Sequence, residues 1–262
     1  MNRIERKFKE LKRKRKKAFI VFITAGYPSL DITRKLVLEF ARLGVDIIEL
    51  GVPFSDPLAD GPIIQESSQQ ALKRKIHIKD ILNLVKQCRK DTDIPICLMS
   101  YYNPIFCFGE ERFIKEARYC GVDGVIIPDL PPEEGSVFIR LAGKLDLATI
   151  FFLSPTSSLE RIKMISRASG GFIYYVSLTG VTGLQDNLAS GLVKNLRLIK
   201  KNTRKALCVG FGISKPRHIK QIYKVADGVI VGSAVIKKIK DNINRGDLVK
   251  RVGRFVYNLK NV

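Results

Sequence analysis

The sequence predicts a single (β/α)8 TIM barrel over residues 1–262, preceded by one extra helix over residues 1–16. Three observations carry this. Short, nearly continuous apolar runs alternate with amphipathic segments, eight of the runs can be counted, and 262 residues suits one barrel of this kind. No internal repeat, low-complexity linker or break in composition marks a second domain. An open doubly wound sheet is the alternative, but no GxGxxG follows the first strand.

The chain opens on a strongly basic segment in which Ile4, Phe8 and Leu11 recur at i, i+4 and i+7. That spacing puts one apolar stripe on a charged helix and predicts a helix laid against the barrel. A transit peptide is the competing reading. Glu5 and Glu10, the absence of Ser before Ser29 and the lack of an apolar core segment count against it. Strands are then predicted at Ala18–Thr24, Asp46–Leu50, Ile94–Met99, Gly124–Ile127, Ala148–Leu153, Phe172–Val176, Ala206–Gly210 and Gly228–Val231. Each is apolar enough to be buried on both faces, as parallel strands are. Between them, Ile32–Leu43 and Ile78–Cys88 show the helical apolar stripe most clearly.

Composition narrows the function classes. The five cysteines (Cys88, Cys97, Cys107, Cys120, Cys208) are odd in number and form no CxxC pair, which points to reduced structural thiols. His77 and His218 stand in no metal-ligand spacing, so no metal site is expected. No apolar run reaches membrane-spanning length, and a soluble protein is expected. The formal net charge of +21 invites a nucleic-acid reading. Its distribution opposes that. The excess is concentrated in the first seventeen residues and in Lys-rich segments such as Lys194–Lys205 and Lys237–Lys250, without interleaved aromatics. Solvated basic faces are the simpler account, although an anionic substrate could exploit the field.

In such barrels chemistry gathers at the C-terminal ends of the strands. After the second strand, Glu49 stands inside an apolar run, where burial would raise its pKa and make it an acid–base group. Asp60 follows eleven residues later on a Pro- and Gly-constrained loop. It reads equally as a turn or capping residue, and Asp56 reads better as one. Three glycine loops then follow in order: Ser177–Gly183, Gly210–Ser214 and Gly232–Ala234. Loops of this kind let backbone N–H groups approach an anion, and those after the last two strands are the usual phosphate-gripping place. The Pro-marked segments Met99–Pro104 and Pro128–Glu134 read as stiff loops. Phe22, Met99, Ile126 and Ile230 could line an apolar pocket or simply fill the barrel.

The run Ile48–Pro57 with Ala59–Pro62, together with Thr179–Gly183 and Gly210–Ile213, resembles the tryptophan synthase alpha subunit family over essentially the whole chain. The first motif is highly specific, the last only moderately so. The resemblance implies retro-aldol cleavage of indole-3-glycerol phosphate to indole and glyceraldehyde 3-phosphate. It implies a pyridoxal-phosphate-dependent beta subunit as partner in an α2β2 assembly, and no cofactor in this chain. The location implied is the cytoplasm, or a plastid stroma. By position, Glu49 matches the family's proton-shuttling group and Asp60 the acceptor for the indole N–H. Thr182 matches the mobile-loop threonine, and Tyr174 an active-site tyrosine, separated from Tyr175 by counting back from Thr182. Gly183, Phe211, Gly212, Gly232 and Ser233 match the phosphate-contacting backbone, and Phe22, Met99, Ile126 and Ile230 the indole pocket. Asp56, Asp129 and Pro131 match loops that face the partner. A metal-dependent epimerase or isomerase would need more histidines than the two present, and a purely activating subunit would not need Glu49 and Asp60.

Overall fold

The computed structural model describes residues 1–176, 190–210, 212–213 and 215–261. Along the chain these form α1 (Arg3–Arg13), β1 (Ala18–Thr24), α2 (Leu30–Arg42), β2 (Ile47–Gly51), α3 (Pro62–Lys73) and α4 (Ile78–Cys88). There follow β3 (Ile96–Met99), α5 (Tyr102–Phe108), α6 (Glu110–Cys120), β4 (Gly124–Ile126), α7 (Ser136–Lys144), β5 (Ala148–Ile150) and β6 (Phe152–Leu153). The remainder are α8 (Leu159–Ala168), β7 (Phe172–Val176), α9 (Ser190–Asn202), β8 (Ala206–Gly210), α10 (Pro216–Tyr223), β9 (Gly228–Val231), α11 (Ser233–Lys240) and α12 (Leu248–Lys260).

All pairings are parallel, in the order β5-β4-β3-β2-β1-β9-β8-β7-β6. The two ends of that order are consecutive in the chain, with only Phe151 between them. The Phe151 carbonyl accepts from the Tyr174 N–H at 3.0 Å, so bonding continues across the gap. Ala148–Leu153, predicted as one strand, therefore serves both edges and closes the barrel.

The apolar residues divide into an outer layer between strands and helices and a narrower cluster inside the barrel. Strand alternation makes this division. On β2, Ile47 belongs to the interior, while Ile48 and Leu50 face the helices. Helix α1 closes the N-terminal end. Ile4 and Leu11 are buried in the interior cluster and Phe8 packs on Phe172 at 5.7 Å between ring centroids. Gly124 and Gly171 make room, since a Cβ on either would lie 2.9 Å from Ile4. The Asn2 side chain accepts from the Ile4 N–H and donates to the Asp123 and Asp146 carbonyls, capping the helix and fixing it to the barrel.

An aspartate before each of three strands binds the backbone of the neighbouring one. Asp46 accepts from the Phe19 N–H (2.9 Å), Asp123 from Ile96 (2.9 Å) and Asp227 from Leu207 (2.9 Å). Arg3 and Arg89 pair with Asp123, and Lys17 and Lys200 with Asp227, so these carboxylates are satisfied where they are buried.

The helix count exceeds the simple alternation, with twelve among the described residues. One addition, α5, covers part of the Met99–Pro104 segment expected to be loop. Pro104 occupies the third helical position, where its missing N–H would have had no intrahelical acceptor, so it does not interrupt the helix.

Candidate active site

The C-terminal ends of the strands open into a cavity of about 1090 Å³. Glu49 lines it, one layer above Ile47 on the same face of β2, in register with Phe22 of β1 and Cys97 of β3. Its carboxyl is 1% exposed and neither oxygen has a hydrogen-bond partner among the described residues. Burial first, and the nearby charge of Asp60 second, push its pKa up to about 8. A carboxyl kept protonated at neutral pH and left without a partner is poised to give a proton to a bound molecule.

Asp60 reaches the same cavity from the loop after β2. A turn bond from its N–H to the Pro57 carbonyl (3.0 Å) and a bond from Gln65 Nε2 to its own carbonyl (3.0 Å) fix its backbone. The Tyr101 hydroxyl donates to Oδ2 at 3.2 Å and accepts from the Ala59 N–H at 2.9 Å. Phe54 stacks on the Tyr101 ring at 5.1 Å. Burial raises the Asp60 pKa to about 6, while the Tyr101 bond opposes the rise. The two carboxyls thus share one cavity in different protonation states near pH 7.

Tyr174 also lines the cavity, whereas Tyr175 is buried in the outer layer. The Tyr174 ring lies against Gly210, where any Cβ would come within 2.3 Å of its hydroxyl. Phe22 is accommodated in the same way by Gly51, whose Cβ would sit 2.6 Å from the ring. Phe22, Met99 and Ile230 form apolar wall. Ile126 does not line the cavity; it is fully buried in the interior cluster beneath it, the role of core filler that its position equally allowed.

Gly212, Gly232 and Ser233 line the same cavity, Gly232 against Phe22, where a Cβ would lie 3.2 Å from the ring. Gly212 has φ +38°, a conformation few side chains tolerate. Gly232 is the N-cap of α11 and Ser233 its first residue. The Val235 N–H is taken by the Gly232 carbonyl at 2.8 Å, while the Ser233 and Ala234 N–H groups have no acceptor within the helix, the arrangement that favours an anion. Thr182, Gly183 and Phe211 lie outside the described residues.

The loops around the mouth carry the remaining predicted positions. Asp56 and Asp129 are exposed and Pro131 is half-buried. Asp129 accepts from the Tyr102 N–H at 2.8 Å, and Leu58 beside Asp56 is 92% exposed.

A family model for the tryptophan synthase alpha chain matches residues 8–261. The tryptophan synthase alpha chain of Caldanaerobacter subterraneus subsp. tengcongensis is 47% identical over 262 residues, covering all of both chains. That of Geotalea uraniireducens is 48% identical, covering 99% of this chain and 97% of its own. The chain belongs to the tryptophan synthase alpha chain family. Solved members share its fold. Subunit alpha from Legionella pneumophila superposes with a TM-score of 0.93 at 39% identity, covering 99% of this chain and 97% of that one. A chain of the tryptophan synthase complex from Pyrococcus furiosus gives 0.86 at 35% identity, covering 94% and 98%. A tryptophan synthase alpha chain is a lyase of tryptophan biosynthesis, and so is this protein.

Sequence reasoning missed Tyr101 as a functional residue. It lay in a segment assigned to loop packing, and only its bond to Asp60 reveals the role. Gly210 was read as part of a phosphate loop; its distinct task of admitting the Tyr174 ring needs the register of β7 against β8 to be seen.

Proposed function

We propose that Glu49 and Asp60 divide the proton chemistry of the alpha reaction, the cleavage of indole-3-glycerol phosphate into indole and glyceraldehyde 3-phosphate. The observation that carries this reading is the buried, unpartnered Glu49 carboxyl, in one cavity with Asp60 and with the glycine turns at Gly212 and Gly232. The substrate's phosphate rests on the backbone of Gly212, Gly232 and Ser233, with Gly183 and Phe211 as further phosphate contacts. Its indole ring lies among Phe22, Met99 and Ile230. Protonated Glu49 gives its proton to indole C3, and Asp60 accepts the indole N–H bond as positive charge develops there. The resulting Glu49 carboxylate takes the proton of the glycerol hydroxyl as the bond to C3 breaks. That carbon becomes the aldehyde of glyceraldehyde 3-phosphate, the bonding pair returns to the indole ring, and Glu49 regains its proton. Tyr174 packs beside the reacting atoms, and Thr182 is the further substrate-contacting side chain.

The indole passes to a beta subunit, which carries the pyridoxal phosphate, in an α2β2 assembly. Asp56, Asp129 and Pro131 present this chain's side of that contact. The Pyrococcus relative was solved as a tryptophan synthase complex, and the exposed loops at the cavity mouth offer the surface. The expected location is the cytoplasm, or a plastid stroma. The test is indole release from indole-3-glycerol phosphate, with and without a beta subunit. Glu49→Gln should lower kcat by about 10²–10⁴-fold, the usual yield of a general acid–base group. A variant cleaving at the normal rate would remove Glu49 from the mechanism.

A further inference from the structure

Helix α11 presents its cavity side for two turns beyond the phosphate-binding end. Ser233, Lys237 and Asp241 follow at i, i+4 and i+8, with Lys238 one turn after Ala234, and all line the cavity. The opposite side of the helix, Val235, Ile236 and Ile239, is buried in the core, so this orientation is fixed. We propose that Lys237 and Lys238 are positioning cations for the phosphate of the substrate, extending the backbone anion site by one helical turn. This rests on the assignment of the phosphate to Gly232 and Ser233.

Three observations support it. A helical side chain leans toward the N-terminus of its helix, so Lys237 and Lys238, about 6 Å further along the axis, lean back over the Ser233 turn. Both ammonium groups are uncommitted among the described residues, whereas Lys240 on the same helix is held by Glu66 at 2.6 Å. The other cation on the wall, Arg161, is held by Glu133. Asp241 lies on the far side of the two lysines from Ser233, one turn from each, and so subtracts least from the field at the phosphate end. Backbone N–H groups supply fixed partial charge, but a phosphate dianion brings close to two full negative charges into a partly dry cavity.

The test uses the full chain and its cleavage kinetics at several ionic strengths. The K237Q/K238Q variant should raise KM for indole-3-glycerol phosphate about five- to tenfold at low salt, with a smaller change in kcat. It should also weaken competitive inhibition by inorganic phosphate and flatten the salt dependence of kcat/KM. K237R/K238R should restore KM. K240Q removes the same kind of charge outside the cavity and should leave KM unchanged, which separates a local contact from the field of a protein with net charge +21. A double variant that melts like the parent and keeps its KM, or one matched by K240Q, would overturn the proposal. A parent protein that releases no indole would instead overturn the function on which it rests.

Discussion

Glu49 shows how one residue couples stability to chemistry. In the unfolded chain it titrates near 4.5, and in the fold at about 8. Between those values the folded protein holds a proton that the unfolded chain releases. The associated stability is therefore fully present below pH 4.5 and is lost as pH rises through 8. Glu49→Gln, which never ionises, escapes that loss. Denaturant melts at pH 5 and pH 8.5 should find the variant more stable than the parent, with the margin larger at the higher pH. Equal margins at both would mean that the carboxyl is not buried unpaired. Asp60 is raised in the same direction, to about 6, but Tyr101 restrains it. The proposed division of labour requires Asp60 ionised and Glu49 protonated, so kcat/KM should follow a bell whose limbs fall near 6 and 8 and belong to the coupled pair. Tyr101→Phe removes the bond that lowers the Asp60 pKa, and its acid limb should move to higher pH. An unmoved limb would assign that limb to another group. Glu49 was legible in the sequence because a carboxylate in an apolar strand is costly without purpose. Tyr101 was not, since an aromatic residue in a loop usually packs, and its partner Asp60 lies forty-one positions away.

At the scale of elements, the strands were readable from their apolar runs, and the misses have definite causes. The break between β5 and β6 depends on how Phe151 shares its bonds with β7, which no local pattern encodes. Helix α5 was hidden by Asn103 and Pro104, turn-forming residues that are also admissible in a first turn. Helix α1 was anticipated from its stripe, but the glycines that receive it come from β4 and from the turn before β7. The sequence offered no way to join those segments to Ile4. The resulting contact is tight enough for a direct test. Ile4→Ala would leave a cavity where Gly124 and Gly171 provide no side chain to collapse into it, costing about 2–5 kcal/mol of stability. Chemical denaturation reads this directly. A loss well under 1 kcal/mol would show that α1 is held by Asn2 and Arg3 alone.

For the whole molecule, the net charge of +21 is the property whose effects extend across every element. Most carboxylates at the closed end of the barrel are already engaged, Asp123 with two arginines and Asp227 with two lysines. The excess cations therefore repel one another over the surface, and self-repulsion of this kind opposes the compact state. Salt screens it, with a Debye length of about 10 Å at 0.1 M. Exposed ion pairs weaken under the same screening, but each contributes roughly 1 kcal/mol or less. Buried pairs such as Arg89–Asp123 are screened least. Repulsion should win, and the melting temperature should rise between 0.02 and about 0.2 M salt. Binding of a phosphorylated substrate should move the other way, because the same screening weakens its attraction to a basic cavity wall. Stability and kcat/KM measured on one salt series should thus change in opposite directions. If both fell together, local ion pairs rather than net charge would dominate the fold, and the excess of basic residues would be energetically silent.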